Sequence, residues 1–324
     1  MITPIRNIVV GVATLGQDDA GATRNGEDPA LAPAVALARS LGATLHVAHV
    51  HEMPAPLLNA YAEYAPYVDP DFRTQYCRDL LARLERMTAQ YGYDRIRCHS
   101  IEGSPGRTLV ELAAREKADL LVVGATRRGI FWRNLLGTTA DRVIRGSPVP
   151  VLVMHQPFAG PVRRVLLTTD LSDESAQLHD HGADTAAALF GSDLQLRTLM
   201  VVWFDTLLPP PLKEDALKEA ADAELRDFVA ERPGHGTIEP RVRFGEVARE
   251  INREADEWKA DLLVLGTHGR SGFSRLALGS TAAAALRGAC CNVLVVPRAA
   301  LKVEVPAPVR EPVVVEPLPA LALG

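Results

Sequence analysis

DLLVVGATRRGIFWRNLLGTTADRVIRGSPVPVLVM at residues 119–154 and DLLVLGTHGRSGFSRLALGSTAAAALRGACCNVLVV at residues 261–296 align without a gap, identical at 17 of 36 positions and offset by 142. Repeat units of solenoids run to roughly 20–50 residues, so a period this long marks a duplicated domain. Each stretch opens on a short aliphatic run, crosses a glycine-bearing loop, enters a helical segment and closes on a second aliphatic run. The closing runs, VPVLVM and, after Asn292, VLVVP, are continuously apolar, the pattern of a strand covered on both faces. Upstream the offset drifts: His49-Val50 aligns with Thr198-Leu199 at 149, and Ile8-Val9-Val10 with Val165-Leu166-Leu167 at 157. The drifts fall in connections, where insertions are best tolerated.

In the second copy, strands are predicted near 163–169, 193–202, 238–244, 261–267 and 292–297, with helices near 173–191, 213–232, 246–259 and 280–288. Alternation of this kind argues for a parallel, doubly wound sheet with right-handed crossovers that place helices on both faces. The expected fold class is α/β, two tandem doubly wound domains, each a five-stranded sheet. The expected boundaries are 1–157 and 158–299, with a Pro-rich tail at 300–324. Ligands in such folds sit outside the carboxyl ends of the strands, so the chemistry is sought in strand-end loops.

The composition agrees. Of 324 residues, 47% are hydrophobic and 23% charged, which suits two packed cores and excludes a disordered or fibrous chain. Lys plus Arg number 35 against 40 Asp plus Glu, and a net charge of -5 gives no footprint for nucleic acid or an anionic membrane. No apolar run reaches the roughly 18 residues of a spanning helix. The start, MITPIRNIVVGVATLG, faintly echoes a signal peptide, but RRVLLTTDLS repeats the pattern at 163–172, so it reads as a buried first strand and a cytoplasmic protein. The four cysteines, Cys77, Cys98, Cys290 and Cys291, form no CxxC, which points to free thiols. For the adjacent Cys290 and Cys291, buried packing is the expected role.

The loop after the fourth strand carries the chemistry. In the second copy Gly266-Thr267-His268-Gly269 is followed, nine residues later, by Gly279-Ser280-Thr281 at the start of an alanine-rich helix. Glycines allow close backbone approach, and successive main-chain N–H groups line an anion-binding concavity. Ser280 is a preferred N-cap residue, and a helix start presents unpaired N–H groups and the positive end of the dipole. Together these residue types describe a phosphate cradle. The spacing, G-x2-G-x9-G-[ST], is neither a Walker A loop nor the G-x-G-x-x-G fingerprint.

The stretch DLLVLGTHGRSGFSRLALGST resembles the signature of the universal stress protein family, and the resemblance extends over both copies, residues 5–297. It implies a Rossmann-like fold of the adenine nucleotide alpha hydrolase type, with a five-stranded parallel sheet in each copy. In the ATP-binding branch it implies adenine nucleotide at this loop, as ATP with or without magnesium. By position, Leu265, Gly266 and Gly269 would approach the phosphates and ribose with main-chain groups, while Gly279, Ser280 and Thr281 would hold the terminal phosphates. Thr168, Thr169 and Asp170 match the positions beside adenine and ribose, and Leu199 the apolar position whose backbone reads the base edge. The resemblance also implies self-association through the last strands, here 151–154 and 293–296, pairing the two copies about a pseudo-twofold axis, because an apolar edge strand must be covered.

The first copy departs from the motif. Arg127 stands where the second motif glycine should be, although Gly137-Thr138-Thr139 remains, and Gly11-Val12-Ala13 replaces Thr168-Thr169-Asp170. The carboxylate that would meet the base or ribose is missing. One nucleotide per chain, in the second copy, is therefore expected.

Other residues weigh less. Arg270 and Arg275, kept as Arg128 and Arg133, suit phosphate or surface ion pairs. His46, His49 and His51 alternate along a strand, which would put all three on one face in the manner of a metal site. No cysteine or carboxylate joins them at ligand spacing, so packing and hydrogen bonding are the expected roles. No nucleophile–base constellation emerges, which favours a regulatory protein without catalysis. Two rivals stay open on the residues alone: a slow ATP hydrolase or nucleotidyl-transfer relative using Asp170 and a divalent ion, and a pairing module without nucleotide.

Overall fold

The aliphatic runs are strands and the amphipathic stretches are helices in the computed structural model, which describes residues 4–13, 28–52, 72–125, 137–203, 214–232, 237–267 and 278–301. The first copy runs β1 (Asn7–Val12), α1 (Leu31–Leu41), β2 (Thr44–His51), α2 (Phe72–Ala89), β3 (Ile96–Glu102), α3 (Pro105–Arg115), β4 (Leu120–Gly124), α4 (Thr138–Gly146) and β5 (Val151–Met154). The second repeats the order: β6 (Arg164–Thr169), α5 (Asp173–Phe190), β7 (Gln195–Val202), α6 (Glu214–Ala230), β8 (Ile238–Phe244), α7 (Val247–Glu257), β9 (Leu262–Gly266), α8 (Ser280–Gly288) and β10 (Asn292–Val296). Gly269, the loop arginines and the tail beyond Leu301 lie outside the described residues. Among the described residues, no helix is long and apolar enough to cross a membrane.

The ten strands form one sheet in the order β3-β2-β1-β4-β5-β10-β9-β6-β7-β8. Each half is parallel, and the halves meet where β5 and β10 run antiparallel, with Val151, Leu152 and Val153 opposite Val295, Leu294 and Val293. The expected pairing of the last strands is thus made inside the chain. β5 lies between β4 and β10, and β10 between β5 and β9, so the edge assigned to self-association is consumed there. The carboxyl ends of the two parallel halves consequently open at opposite rims.

Side-chain alternation builds two cores, one on each side of the sheet. Val10, Leu45 and Val47 join Leu167, Leu196 and Val264 beneath α1, α2 and α5. Val9, Leu121 and Val153 join Leu166, Leu263 and Leu286 beneath α3, α4, α7 and α8. α5 approaches the sheet closely because Gly182 has no side chain; a Cβ there would lie 2.5 Å from a methyl of Val264.

The aspartate that opens each repeat has a structural task. Asp119 Oδ2 accepts the N–H groups of Arg6 and Asn7 at 2.7 and 2.9 Å, and Asp261 Oδ2 accepts those of Arg163 and Arg164, both at 2.9 Å. Each copy thereby pins the entrance of its first strand. Strand pairing also corrects the sequence alignment. Val12 lies opposite His49 and Thr169 opposite Met200, so the second strands correspond at an offset of 151 rather than 149. A two-residue slip keeps every side chain on its own face and therefore leaves no trace in the hydrophobic pattern.

Asn292 secures the connection between the copies. It is 2% exposed, and its Oδ1 accepts the N–H groups of His155 and Gln156 at 2.9 and 3.2 Å. Asn292→Ala strips both donors of their acceptor and is expected to lower stability by about 1–3 kcal/mol. Urea denaturation measures this; a loss below about 0.5 kcal/mol would mean that water takes over both bonds.

Candidate functional site

Parallel strands ending at different levels leave a crevice at their carboxyl rim. In the second copy that crevice is a cavity of about 820 Å³, within the range of small-molecule sites. Nine of the ten residues singled out from the sequence line it: Thr168, Thr169, Asp170, Leu199, Leu265, Gly266, Gly279, Ser280 and Thr281. The tenth is Gly269, outside the described residues.

The end of β6 is braced by hydroxyl groups. Thr168 Oγ1 donates to the Val264 carbonyl at 3.2 Å, and Thr169 Oγ1 lies 3.1 Å from Ser175 Oγ, which also accepts the Asp170 N–H at 3.2 Å. The Ser172 N–H and hydroxyl both donate to Asp170 Oδ1, at 3.0 and 2.6 Å. An Asx-turn of this kind fixes the carboxylate before any ligand arrives. Leu171 takes the left-handed conformation, φ 64°, to turn the chain back toward α5.

The start of α8 differs from the sequence expectation. Gly279, not Ser280, is the N-cap, with φ -55° and ψ 145°, and no side chain caps this end. Ser280 is the first helical residue. By contrast, Ser172 caps α5 by accepting from the Ser175 N–H, and Glu246 caps α7 by accepting from Ala248 and Arg249. The helix that opens on the cavity thus keeps unpaired N–H groups and an unneutralised dipole end. Thr267 holds the base of the loop closed: its carbonyl accepts the Gly279 N–H at 2.9 Å and its hydroxyl accepts the Arg298 N–H at 3.2 Å.

The rest of the lining is mostly apolar, with Leu178, Met200, Val202 and Leu217, and includes one further carboxylate, Glu224. Trp203, 63% exposed, stands at the cavity mouth. Leu199 is buried and level with Thr168, flanked by paired strands on both sides, so it contributes apolar side chain to the cavity. Val201 and Val202 run past Thr169, the last β6 residue in the pairing. Ser175, Thr267, Val202 and Trp203 were not singled out from the sequence. The correct strand register would have pointed to Val201 and Val202.

Among the described residues, the same rim of the first copy is crowded at Gly11 and Gly124. Gly11 replaces Thr168, and Leu109 of α3 moves into the freed space; a Cβ on Gly11 would lie 2.6 Å from its methyl. The motif position itself is Ala13, without a carboxylate, but a buried carboxylate reaches it from Asp28. It accepts the N–H groups of Ala13 at 2.8 Å and Ala30 at 2.9 Å. Gly124 is covered by the same segment: a Cβ on it would meet Pro29 at 3.4 Å and Asp28 at 3.7 Å.

Two further expectations change. His49 and His51 share a face, their rings 6.0 Å apart, but His46 lies on the other face, where its Nδ1 is 3.1 Å from His99 Nε2. Residues three apart on a strand cannot face the same way. Of the adjacent cysteines, Cys291 is buried but Cys290 is exposed, and a hydrogen bond from Cys291 pulls the Cys290 thiol down to about 7.

Fold and site together define a tandem, Rossmann-like α/β protein with an open strand-end cavity in its second half. The universal stress protein family model matches twice, at residues 5–155 and 161–297, and the chain belongs to that family. A universal stress protein of Mycolicibacterium smegmatis is 32% identical over 201 residues, covering 60% of this chain and 66%, slightly under two thirds, of its own length. One from Methanocaldococcus jannaschii is 30% identical over 124 residues, covering 38% of this chain and 72% of the relative. The crystal structure of a putative universal stress protein from Pseudomonas aeruginosa superimposes with a TM-score of 0.62 at 20% identity, covering 90% of this chain and 93% of that one, a likeness of fold.

Proposed function

We propose that the second copy binds one adenine nucleotide, with ATP, accompanied by magnesium, as the principal ligand. The protein would act as a regulatory stress-response protein in the cytoplasm, without fast catalysis. The uncapped start of α8, opening on a mostly apolar cavity, is the observation that carries this reading. Phosphates would take the N–H groups at Gly279, Ser280 and Thr281, as anions do at helix starts. The apolar lining suits the faces of adenine, and the Asp170 carboxylate would accept ribose hydroxyl protons.

Mass spectrometry of ligand released from freshly purified protein tests the proposal, followed by titration of the stripped chain. Adenine nucleotide at one equivalent per chain is expected, with ATP-Mg at 100 times Kd adding about 2.7 kcal/mol of stability. A stoichiometry near two would overturn the assignment to one copy. No released nucleotide together with no thermal shift would overturn nucleotide binding itself. Phosphate release that is fast and lost in Asp170→Ala would sink the non-catalytic reading.

A further inference from the structure

We propose that His46, His99 and Glu116 form a binding site for one divalent transition-metal ion of the zinc class. His46 on β2 and His99 on β3 point to the α3 side of the sheet, and Glu116 follows the last turn of α3. His46 Nδ1 is 3.1 Å from His99 Nε2 and 3.7 Å from Glu116 Oε2, and one ligand atom from each residue falls within 4.8 Å of the other two. Two imidazole nitrogens on one tetrahedral zinc, each at about 2.05 Å, stand about 3.3 Å apart. The two ring nitrogens already stand near that spacing, and a small inward movement of Glu116 would seat an ion between three donors, with a fourth position open to water.

The second copy shows what this place in the fold requires. By strand register, His46 corresponds to Arg197 and His99 to Arg241. Both guanidiniums converge on one carboxylate: Arg197 Nη1 lies 2.6 Å and Arg241 Nε 3.5 Å from the oxygens of Glu254. Glu116 takes the place of Trp258, whose ring the Arg197 guanidinium covers at 4.3 Å. One copy therefore sets two fixed cations against an acid; the other sets two lone-pair donors against an acid. A divalent ion would supply the charge that the two imidazoles lack, beside the Arg115 that already pairs with Glu116.

Arg115 Nε donates to Glu116 Oε1 at 3.0 Å, which leaves Oε2 turned toward His46. Two imidazoles and one carboxylate favour zinc, cobalt or nickel over magnesium or calcium, which prefer all-oxygen sites. The sequence concealed the set because its members are 53 and 17 residues apart along the chain and meet only across strand pairing.

Equilibrium dialysis of the full-length, chelator-stripped protein against Zn2+, with metal quantification, tests the site, and Co2+ absorption provides a second readout. One ion per chain is expected, with the visible bands of cobalt bound to nitrogen and oxygen, unaffected by millimolar Mg2+. His99→Gln and Glu116→Gln should each weaken binding by more than the roughly 10–100-fold that loss of an outer-shell partner brings. Glu116 lies at the surface end of the cluster, so its variant decides the matter if His99→Gln fails to fold. His51→Gln with Cys77→Ser, altering the other histidine cluster, where Cys77 Sγ lies 3.8 Å from His51 Nε2, should leave binding intact. Zinc-free wild type, displacement by Mg2+, retention in Glu116→Gln or loss in the His51/Cys77 variant would each overturn the assignment.

Discussion

Glu254→Ala is expected to lower folding stability by about 3–5 kcal/mol, the range seen when one partner of a buried ion pair is removed. Glu254 is 1% exposed and sits beneath β7 and β8. Its Oε1 accepts from Arg197 Nη1 at 2.6 Å, while Oε2 faces the Nε groups of Arg243 and Arg241. The side chains of Arg197 and Arg243 are only 14% and 10% exposed, so neither is compensated by water when the carboxylate is lost. Each retains another acid: Arg197 pairs with Glu239 at 2.6 Å, and Arg243 with Glu257 and, at 3.4 Å, Glu250. These partners place the effect toward the lower end of the range. Glu254→Gln, which keeps the shape but not the charge, should lose less. Chemical denaturation reads both; a loss under about 1 kcal/mol for the alanine variant would show that the network is solvated and contributes as surface pairs do.

Ser280→Asp should abolish nucleotide binding without harming the fold. An acid in the first turn of a helix favours the dipole by about 0.3–1 kcal/mol, so α8 itself should be undisturbed or strengthened. A carboxylate about 4 Å from a phosphate opposes it by about 4 kcal/mol at an effective dielectric of 20. Because Ser280 is exposed, screening reduces that figure, and an affinity loss of at least about 100-fold is expected. Ser280→Ala provides the contrast. No side chain caps this helix start, so removing the hydroxyl should change stability little and affinity by less than about tenfold. Calorimetric titration with ATP distinguishes the two. Equal, small effects would show that the phosphates do not approach this helix, and the proposed orientation of the nucleotide would fail.

Much of the architecture was legible because it is written locally. Aliphatic runs repeated at fixed offsets marked the strands of both copies, and the seam between them followed from VLVM and VLVV, which need cover on every side. The helix start at Gly279 and Ser280 was legible for a related reason, since such residues carry their conformational demands in themselves, while the loop before it lies outside the described residues. What escaped notice was non-local. The second strands slipped by two residues because parity preserves their pattern. Asp28 replaces the lost strand-end carboxylate from 15 residues beyond Ala13, as a buried brace. The clusters around Glu254 and around His46 gather residues from separate elements, so no window of sequence contains them. The cap of α8 fell one position earlier than serine preference suggested, because Gly279 leaves the strand-end loop in an extended conformation and Ser280 is already helical.

The antiparallel seam has a consequence for how this molecule would respond to its ligand. Two identical chains joined along the same seam would present twin mouths, and occupancy of one could bias the other, giving a sigmoidal response. Here a single polypeptide spans both sides of the seam, and symmetry no longer obliges the halves to match. Leu109 and the Asp28–Pro29 segment crowd Gly11 and Gly124 at one rim, while the other opens on the cavity. If the second copy alone takes nucleotide, as proposed above, titration is expected to be hyperbolic, with a Hill coefficient of one.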